Sequence, residues 1–317
     1  MPITLRHSAE AAALRGALRA ARALGPVAAS NLGGAVARRL GPALPVSRVA
    51  DRNLQRAMPA LDDAARRRVI RGVWDNLGRT AAELPHLTAL RRTDSGPGFT
   101  FDADEELREL RARGGPALFF SAHIGNWEAV LPAAAALGLP VSGFYRAASN
   151  KLVDQLVQDL RQAATGPDAR MFAKGAPGAR AALLHLRGGG MLGMLTDQKM
   201  NDGISADFFG CPAMTAPALA HYALRFRCPV IPIHTIRLGP ARFHLAWDKP
   251  LEVPDTGDRA ADALTLTRAM NATLERWITA HPESWLWLHR RWPATESEGM
   301  QGRAAGEIGG RVSTVPQ

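Results

Sequence analysis

Apolar positions recur at helical spacing through residues 1–90, interrupted near Gly41–Pro45 and at Pro59. Asp62 stands where a cap is needed for the Arg-rich segment that follows, so a helix is predicted to start there and run through Ala64–Leu77. Residues 91–100, with Ser95, Gly96, Pro97 and Gly98, read as a turn or linker. The pattern then changes to short apolar runs separated by helical segments. Strands are predicted at Ala117–Phe120, Val141–Tyr145, Arg170–Ala173, Met191–Leu195, Val230–Ile236 and Ala241–Trp247. Helices are predicted from about Asn126 to Leu137, Lys151 to Ala164, around Ala179–Leu186, and over Thr215–Phe226 and Arg259–Ala280. Strands alternating with helices of this length imply an α/β fold with a mixed, mostly parallel sheet flanked by helices, behind a helical N-terminal region. The organisation expected is a helical, membrane-associating region over 1–90, an α/β domain over 91–293, and a Gly/Ser/Glu-rich, poorly ordered tail over 294–317.

No window offers the roughly 18 consecutive apolar residues of a spanning helix. Within residues 9–41, Leu14, Leu18 and Ala21 share one flank while Arg15, Arg19 and Arg22 share another. That pattern fits a helix lying in a membrane interface with snorkelling arginines, and equally a helix packed on its own domain. Arginines interrupt the region where a signal peptide would need its apolar core.

An apolar content of 46% supplies a core and excludes general disorder. The 39 basic and 29 acidic residues give a net charge of +10, concentrated in the first 80 residues and between His289 and Trp292, which points to an anionic partner. With 6% aromatic residues, tryptophans not interleaved with the basic runs, and no zinc-finger spacing, nucleic acid is disfavoured against anionic lipid. Cys211 and Cys228 form no framework and lie beside prolines, as structural thiols of a reducing compartment would. The remaining histidines, His185, His221, His234 and His244 among them, are scattered, so no metal site is predicted.

Candidate chemistry gathers where apolar strands end. In Phe119-Phe120-Ser121-Ala122-His123-Ile124-Gly125-Asn126-Trp127-Glu128, His123 sits at a strand-to-helix turn, Gly125 frees the backbone, and Asn126 is placed to cap the next helix. Glu128, in the first turn of that helix, is in position to reach back to one imidazole nitrogen and leave the other as a general base. The alternative is a histidine that merely ends a strand and is satisfied locally. Arg146 and Asn150 follow the strand Val141–Tyr145, and an arginine there suits a phosphate or carboxylate. Thr196, Asp197 and Gln198 follow Met191–Leu195, with Asp197 placed to bind a metal, hold Arg146 or orient loops. The segment from Phe208 to Pro212 reads as an apolar loop, beside a lipid chain or in the core. A nucleophile elbow of the G-x-S-x-G type is absent, which disfavours a hydrolase.

Taken in order, these boxes resemble the lauroyl/myristoyl acyltransferases of lipid A biosynthesis, a branch of the lysophospholipid and glycerophosphate acyltransferase superfamily. The resemblance covers residues 45–293. It runs through Arg52-Asn53-Leu54, Met58-Pro59, Trp74-Asp75-Asn76, Ala122 to Glu128, Tyr145-Arg146, Asn150, Asp197-Gln198, Phe208-Phe209-Gly210, Pro212-Ala213, Pro282 to Trp287 and His289 to Trp292. The spacing of His123 and Glu128 alone is weakly specific; the ordered set is strongly so. The resemblance implies His123 as base with Glu128 as its orienting partner. It further implies substrate binding by Asn126, Trp127, Arg146, Asn150, Asp197 and Gln198. It implies no cofactor, a donor thioester on acyl carrier protein or coenzyme A, and a phosphorylated glucosamine-disaccharide acceptor at the cytoplasmic face of the inner membrane. Members commonly carry a clearer N-terminal anchor, so residues 9–41 point to peripheral or weak attachment. Acylation of another lipid or glycolipid, and a non-enzymatic basic membrane- or nucleic-acid-binding protein, are the competing readings.

Overall fold

The computed structural model describes residues 4–293. Four helices come first: α1 (Leu5–Leu24), α2 (Pro26–Leu40), α3 (Ser47–Ala57) and α4 (Asp63–Glu83). The breaks fall at Gly41–Ala43 and around Pro59, and Asp62 Oδ1 caps α4 by accepting from the Ala65 amide at 2.6 Å. A further break at Gly25-Pro26, where Pro26 opens α2 as a first-turn proline, divides the stretch 9–41 that the pattern presents as continuous.

The main body follows in the order β1 (Gly98–Thr100), α5 (Asp104–Arg113), β2 (Ala117–Ser121), α6 (Val130–Ala136), β3 (Val141–Tyr145), α7 (Lys151–Thr165), β4 (Met171–Ala173), α8 (Ala176–Arg187), β5 (Met191–Leu195), β6 (Lys199–Phe208), β7 (Cys211–Thr215), α9 (Ala218–Phe226), β8 (Val230–Gly239), β9 (Arg242–Trp247) and α10 (Arg259–Ala280). Seven strands form one sheet, ordered β1-β9-β8-β2-β5-β3-β4, with β9 antiparallel to β8 and the central strands parallel. This is the α/β fold with a mostly parallel mixed sheet that the alternating pattern predicts.

One face of the sheet packs with α6 over Phe119, Val141 and Ile233. The other packs with α8, α9 and α10 over Phe120, Leu192 and Val230. The chain leaves β2 toward the α6 face and leaves β5, its hydrogen-bonded neighbour, toward the α9 face. Adjacent strands whose crossovers part to opposite faces open a crevice beyond their C-terminal ends, the usual ligand position in open α/β sheets.

Two segments depart from the sequence pattern, and a third settles a choice it left open. Gly98–Thr100, read as linker, is an edge strand beside β9. Residues 199–215, read as loops, form an antiparallel hairpin, β6–β7, turning at Phe209 (φ 51°) and Gly210 (φ 66°), the positive-φ pair of a tight two-residue hairpin turn. Its Phe208 is fully buried against Trp285 and Trp292, so the double-phenylalanine box belongs to the core. In α1, Leu14, Leu18 and Ala21 are half-buried and the helix packs against α7, so this flank faces the protein. Leu32, Val36 and Leu40 form the exposed apolar stripe instead, on α2. Among the described residues no helix is long and apolar enough to cross a membrane. The segment 294–317 lies outside the described residues.

Candidate active site

β2 and β5 run parallel with Ser121 opposite Leu195. Two residues beyond each partner, the chain delivers His123 and Asp197 side by side. His123 Nδ1 lies 2.9 Å from Asp197 Oδ1, and the His123 amide donates to Asp197 Oδ2 at 3.0 Å. Asp197 is fully buried, and Trp285 Nε1 donates to its Oδ2 at 2.8 Å. Both carboxylate oxygens are thereby committed to the histidine and its surroundings, rather than to a metal or to Arg146. With Nδ1–H donated to the carboxylate, Nε2 carries the free lone pair, and Gln198 Nε2 lies 3.4 Å from it. Burial opposes the imidazolium, but the Asp197 charge and hydrogen bond outweigh it and hold the His123 pKa above its ordinary value. Burial likewise opposes the Asp197 carboxylate, and the facing histidine overrides it, holding this group well below the usual carboxylate range.

This geometry corrects the expected role of Glu128. Its carboxylate meets Arg161 of α7, with Nε to Oε2 at 2.9 Å and Nη2 to Oε1 at 2.6 Å. The turn at Gly125 redirects the chain before Glu128, whereas Asp197 arrives beside the imidazole through strand register. Glu128 still favours the His123 cation through its charge, a smaller influence than that of Asp197.

The turn itself is held from below. Gly125 has φ +58°, and a Cβ there would lie 2.1 Å from the Thr235 carbonyl oxygen, so both conformation and space require glycine. Asn76 Nδ2 donates to the Gly125 carbonyl at 2.8 Å and to the Ser284 carbonyl at 3.1 Å. Asn126 stands at the N-cap of the short 3-10 turn Trp127–Ala129, but its side chain makes no capping bond: its Nδ2 donates to Glu83 Oε2 at 2.7 Å. Glu83, 1% exposed, also accepts from Arg237 Nη1 at 2.6 Å, Ser30 Oγ at 2.6 Å and the Ala241 amide at 3.0 Å. Glu83, Arg237, Asn76, Arg161 and Trp285 thus support the site without having been named as site residues. Asn76 and Trp285 fall within the boxes that carry the family resemblance, and Glu83 offered a faint signal as an acidic residue on an apolar helical flank.

His123, Trp127, Glu128, Arg146 and Gln198 line one cavity of about 780 Å³, near the top of the range for ligand pockets. Trp127 tilts against His123 with ring centroids 5.3 Å apart. Arg146 is exposed at the cavity margin. Ser121 Oγ, buried in the cavity wall, finds no hydrogen-bond partner among the described residues. Two expected substrate contacts lie elsewhere. Asn126 is fully buried beneath the turn, and Asn150 caps α7 while its Nδ2 donates to the His7 carbonyl and Glu10 Oε2, both at 2.9 Å. Their amide nitrogens are engaged by Glu83 and by α1 respectively. Arg291, counted with the basic excess, is buried too, donating to Thr215 Oγ1 at 2.7 Å and stacking on Phe208; burial depresses its pKa to about 10.

Residues 3–294 match the family described as bacterial lipid A biosynthesis acyltransferase. A lipid A biosynthesis acyltransferase of Haemophilus influenzae (strain ATCC 51907 / DSM 11121 / KW20 / Rd) is 24% identical over 242 residues, covering 75% of this chain and 73% of that protein. The chain belongs to the bacterial lipid A biosynthesis acyltransferase family.

Proposed function

We propose that this family member moves a fatty acyl group from an acyl-carrier-protein or coenzyme A thioester to a hydroxyl of a phosphorylated glucosamine-disaccharide precursor. The observation that carries this reading is the His123–Asp197 pair at the wall of a largely apolar cavity. His123 Nε2 removes the proton of the acceptor hydroxyl as its oxygen attacks the thioester carbonyl. The tetrahedral intermediate collapses by breaking the C–S bond, and the imidazolium returns the proton to the departing thiolate. Asp197 keeps the imidazole in the reactive tautomer and offsets its positive charge, so no protein nucleophile is needed. The unpartnered Ser121 hydroxyl and the Gln198 amide are the donors available to the carbonyl oxygen and the incoming hydroxyl. The apolar cavity takes the acyl chain, and Arg146 at its margin faces the acceptor phosphate.

Peripheral attachment to the cytoplasmic face of the inner membrane is part of the same reading. It is supported by exposed Leu32, Val36 and Leu40 on α2 together with the exposed arginines of α1 and α2, an amphipathic pattern suited to an anionic lipid surface. The positive balance also suits an acidic carrier protein. The test is incubation with labelled acyl-carrier-protein thioester and separated candidate lipids, read by mass spectrometry. Label on the disaccharide is the expected result. Label on a phospholipid or mannolipid alone would refute the acceptor assignment.

A further inference from the structure

Neighbouring residues of a strand point to opposite faces of a sheet. Gly143 and Phe144 of β3 both line the cavity, and so do Gly193 and Met194 of β5. The cavity therefore reaches both faces, passing over the C-terminal tips of the central strands at the place where the crossovers diverge.

The two sides differ in character. On the α6 face the wall runs inward, past the mutually paired Glu128 and Arg161, to Val141, Ala134 and Leu87, all buried, with Ala164 of α7 beside them, which makes a slot whose inner end is closed and apolar. On the α8–α9 face the walls are Phe144, Met194, Ala179, Ala218 and Tyr222, the last donating from its hydroxyl to the Ala179 carbonyl at 3.2 Å. That side opens to exposed Lys174, Gly175 and Ala176 and to exposed Arg146. A closed slot suits a chain whose end is buried. A slot with an open basic rim suits a chain whose anionic head stays outside.

We infer that the cavity holds two apolar chains at once: the transferred acyl chain between the sheet and α6–α7, and a chain of the phosphorylated acceptor between the β3–β5 tips and α8–α9. This rests on the acyl-transfer reading and assigns the acceptor its own apolar subsite. His123 and Asp197 stand after β2 and β5, whose crossovers leave toward these two sides, so the hydroxyl and the thioester meet above the divide.

Replacement of one small wall residue in each lobe separates the roles. Ala218→Leu, with Ala179→Leu as a second variant should the first fail to fold, is expected to raise the acceptor KM at least about 10-fold and leave the donor chain-length preference unchanged. Ala164→Leu is expected to shift that preference to shorter chains and leave the acceptor KM unchanged. Dodecyl phosphate gives a readout independent of turnover: native mass spectrometry should count two equivalents on the wild type and one on either variant. A single equivalent on the wild type would overturn the inference. So would folded α9- and α8-side variants that shift donor preference with the acceptor KM within about twofold of wild type. Two equivalents on a wild type that transfers no acyl group would refute the acyl-transfer reading while upholding the second subsite.

Discussion

Two buried carboxylates flank the turn that carries His123, and they do different things. Asp197 lies on the strand side and contacts a histidine whose proton can be exchanged with the cavity. Glu83 lies on the helical side and contacts Arg237, whose charge is permanent, along with Ser30, Asn126 and the Ala241 amide. A buried carboxylate is retained only with strong partners. The partner's chemistry then separates a proton-handling pair from a fixed clamp. The comparison teaches that burial alone does not mark the catalytic acid group; the titratable neighbour and the cavity do.

That division predicts different failures. Asp197→Asn should fold and reduce kcat about 10²–10⁴-fold, because the amide cannot hold the imidazole in the reactive tautomer; circular dichroism beside a transfer assay reads both effects. His123→Ala should lose roughly 100-fold or more. Glu83→Ala should act on stability, costing on the order of 3–5 kcal/mol in urea unfolding because Arg237 is left charged and unpaired in the interior. Activity per folded molecule should fall less than in Asp197→Asn. Equal catalytic losses from the two carboxylates, with equal stability, would erase the distinction.

The pH dependence sharpens the same contrast. The base must be neutral, and Asp197 raises the His123 pKa, so the acid limb of kcat/KM should have its midpoint above about 6.5. In Asp197→Asn the attraction is gone while burial remains, so that limb should move to lower pH; it should stay in place in Glu83→Ala. The raised His123 pKa contributes stability that is complete below its unfolded value of about 6.5 and fades as pH rises through the folded value. The depressed Asp197 pKa contributes stability present above about pH 4 and lost as pH falls through the folded value.

The smallest effect expected is that of Glu128→Gln, a loss within about tenfold, because its carboxylate pairs with Arg161 and touches His123 only through space.

The molecule was legible where local pattern and tertiary role agree. The central strands β2, β3 and β5 are short apolar runs, and α10 carries an uninterrupted helical pattern between its Asp258 cap and His281. The missed pieces lack such a signal. β6 is mostly polar and gains its pairing only from β7, β1 is three residues long beside glycine and proline, and α5 buries only Leu107 and Leu110 of ten residues. His123 was legible because a histidine after a buried strand is unusual chemistry in a recognisable place. Its partner was not, since local proximity favoured Glu128, five residues away, over Asp197, which lies 74 residues on and is brought in by the register of β2 against β5. The terminal tryptophan box is explained in the same way: Trp285 closes the far side of Asp197, a contact 88 residues apart in sequence.

The central claim is that His123 is oriented by Asp197. Single-turnover acyl transfer by Asp197→Asn and Glu128→Gln, measured side by side on folded protein with saturating donor and acceptor, tests it most directly. A loss of about 100-fold or more for Asp197→Asn and of no more than about tenfold for Glu128→Gln is predicted. The opposite ranking, with Glu128→Gln nearly inactive and Asp197→Asn close to wild type, would contradict it.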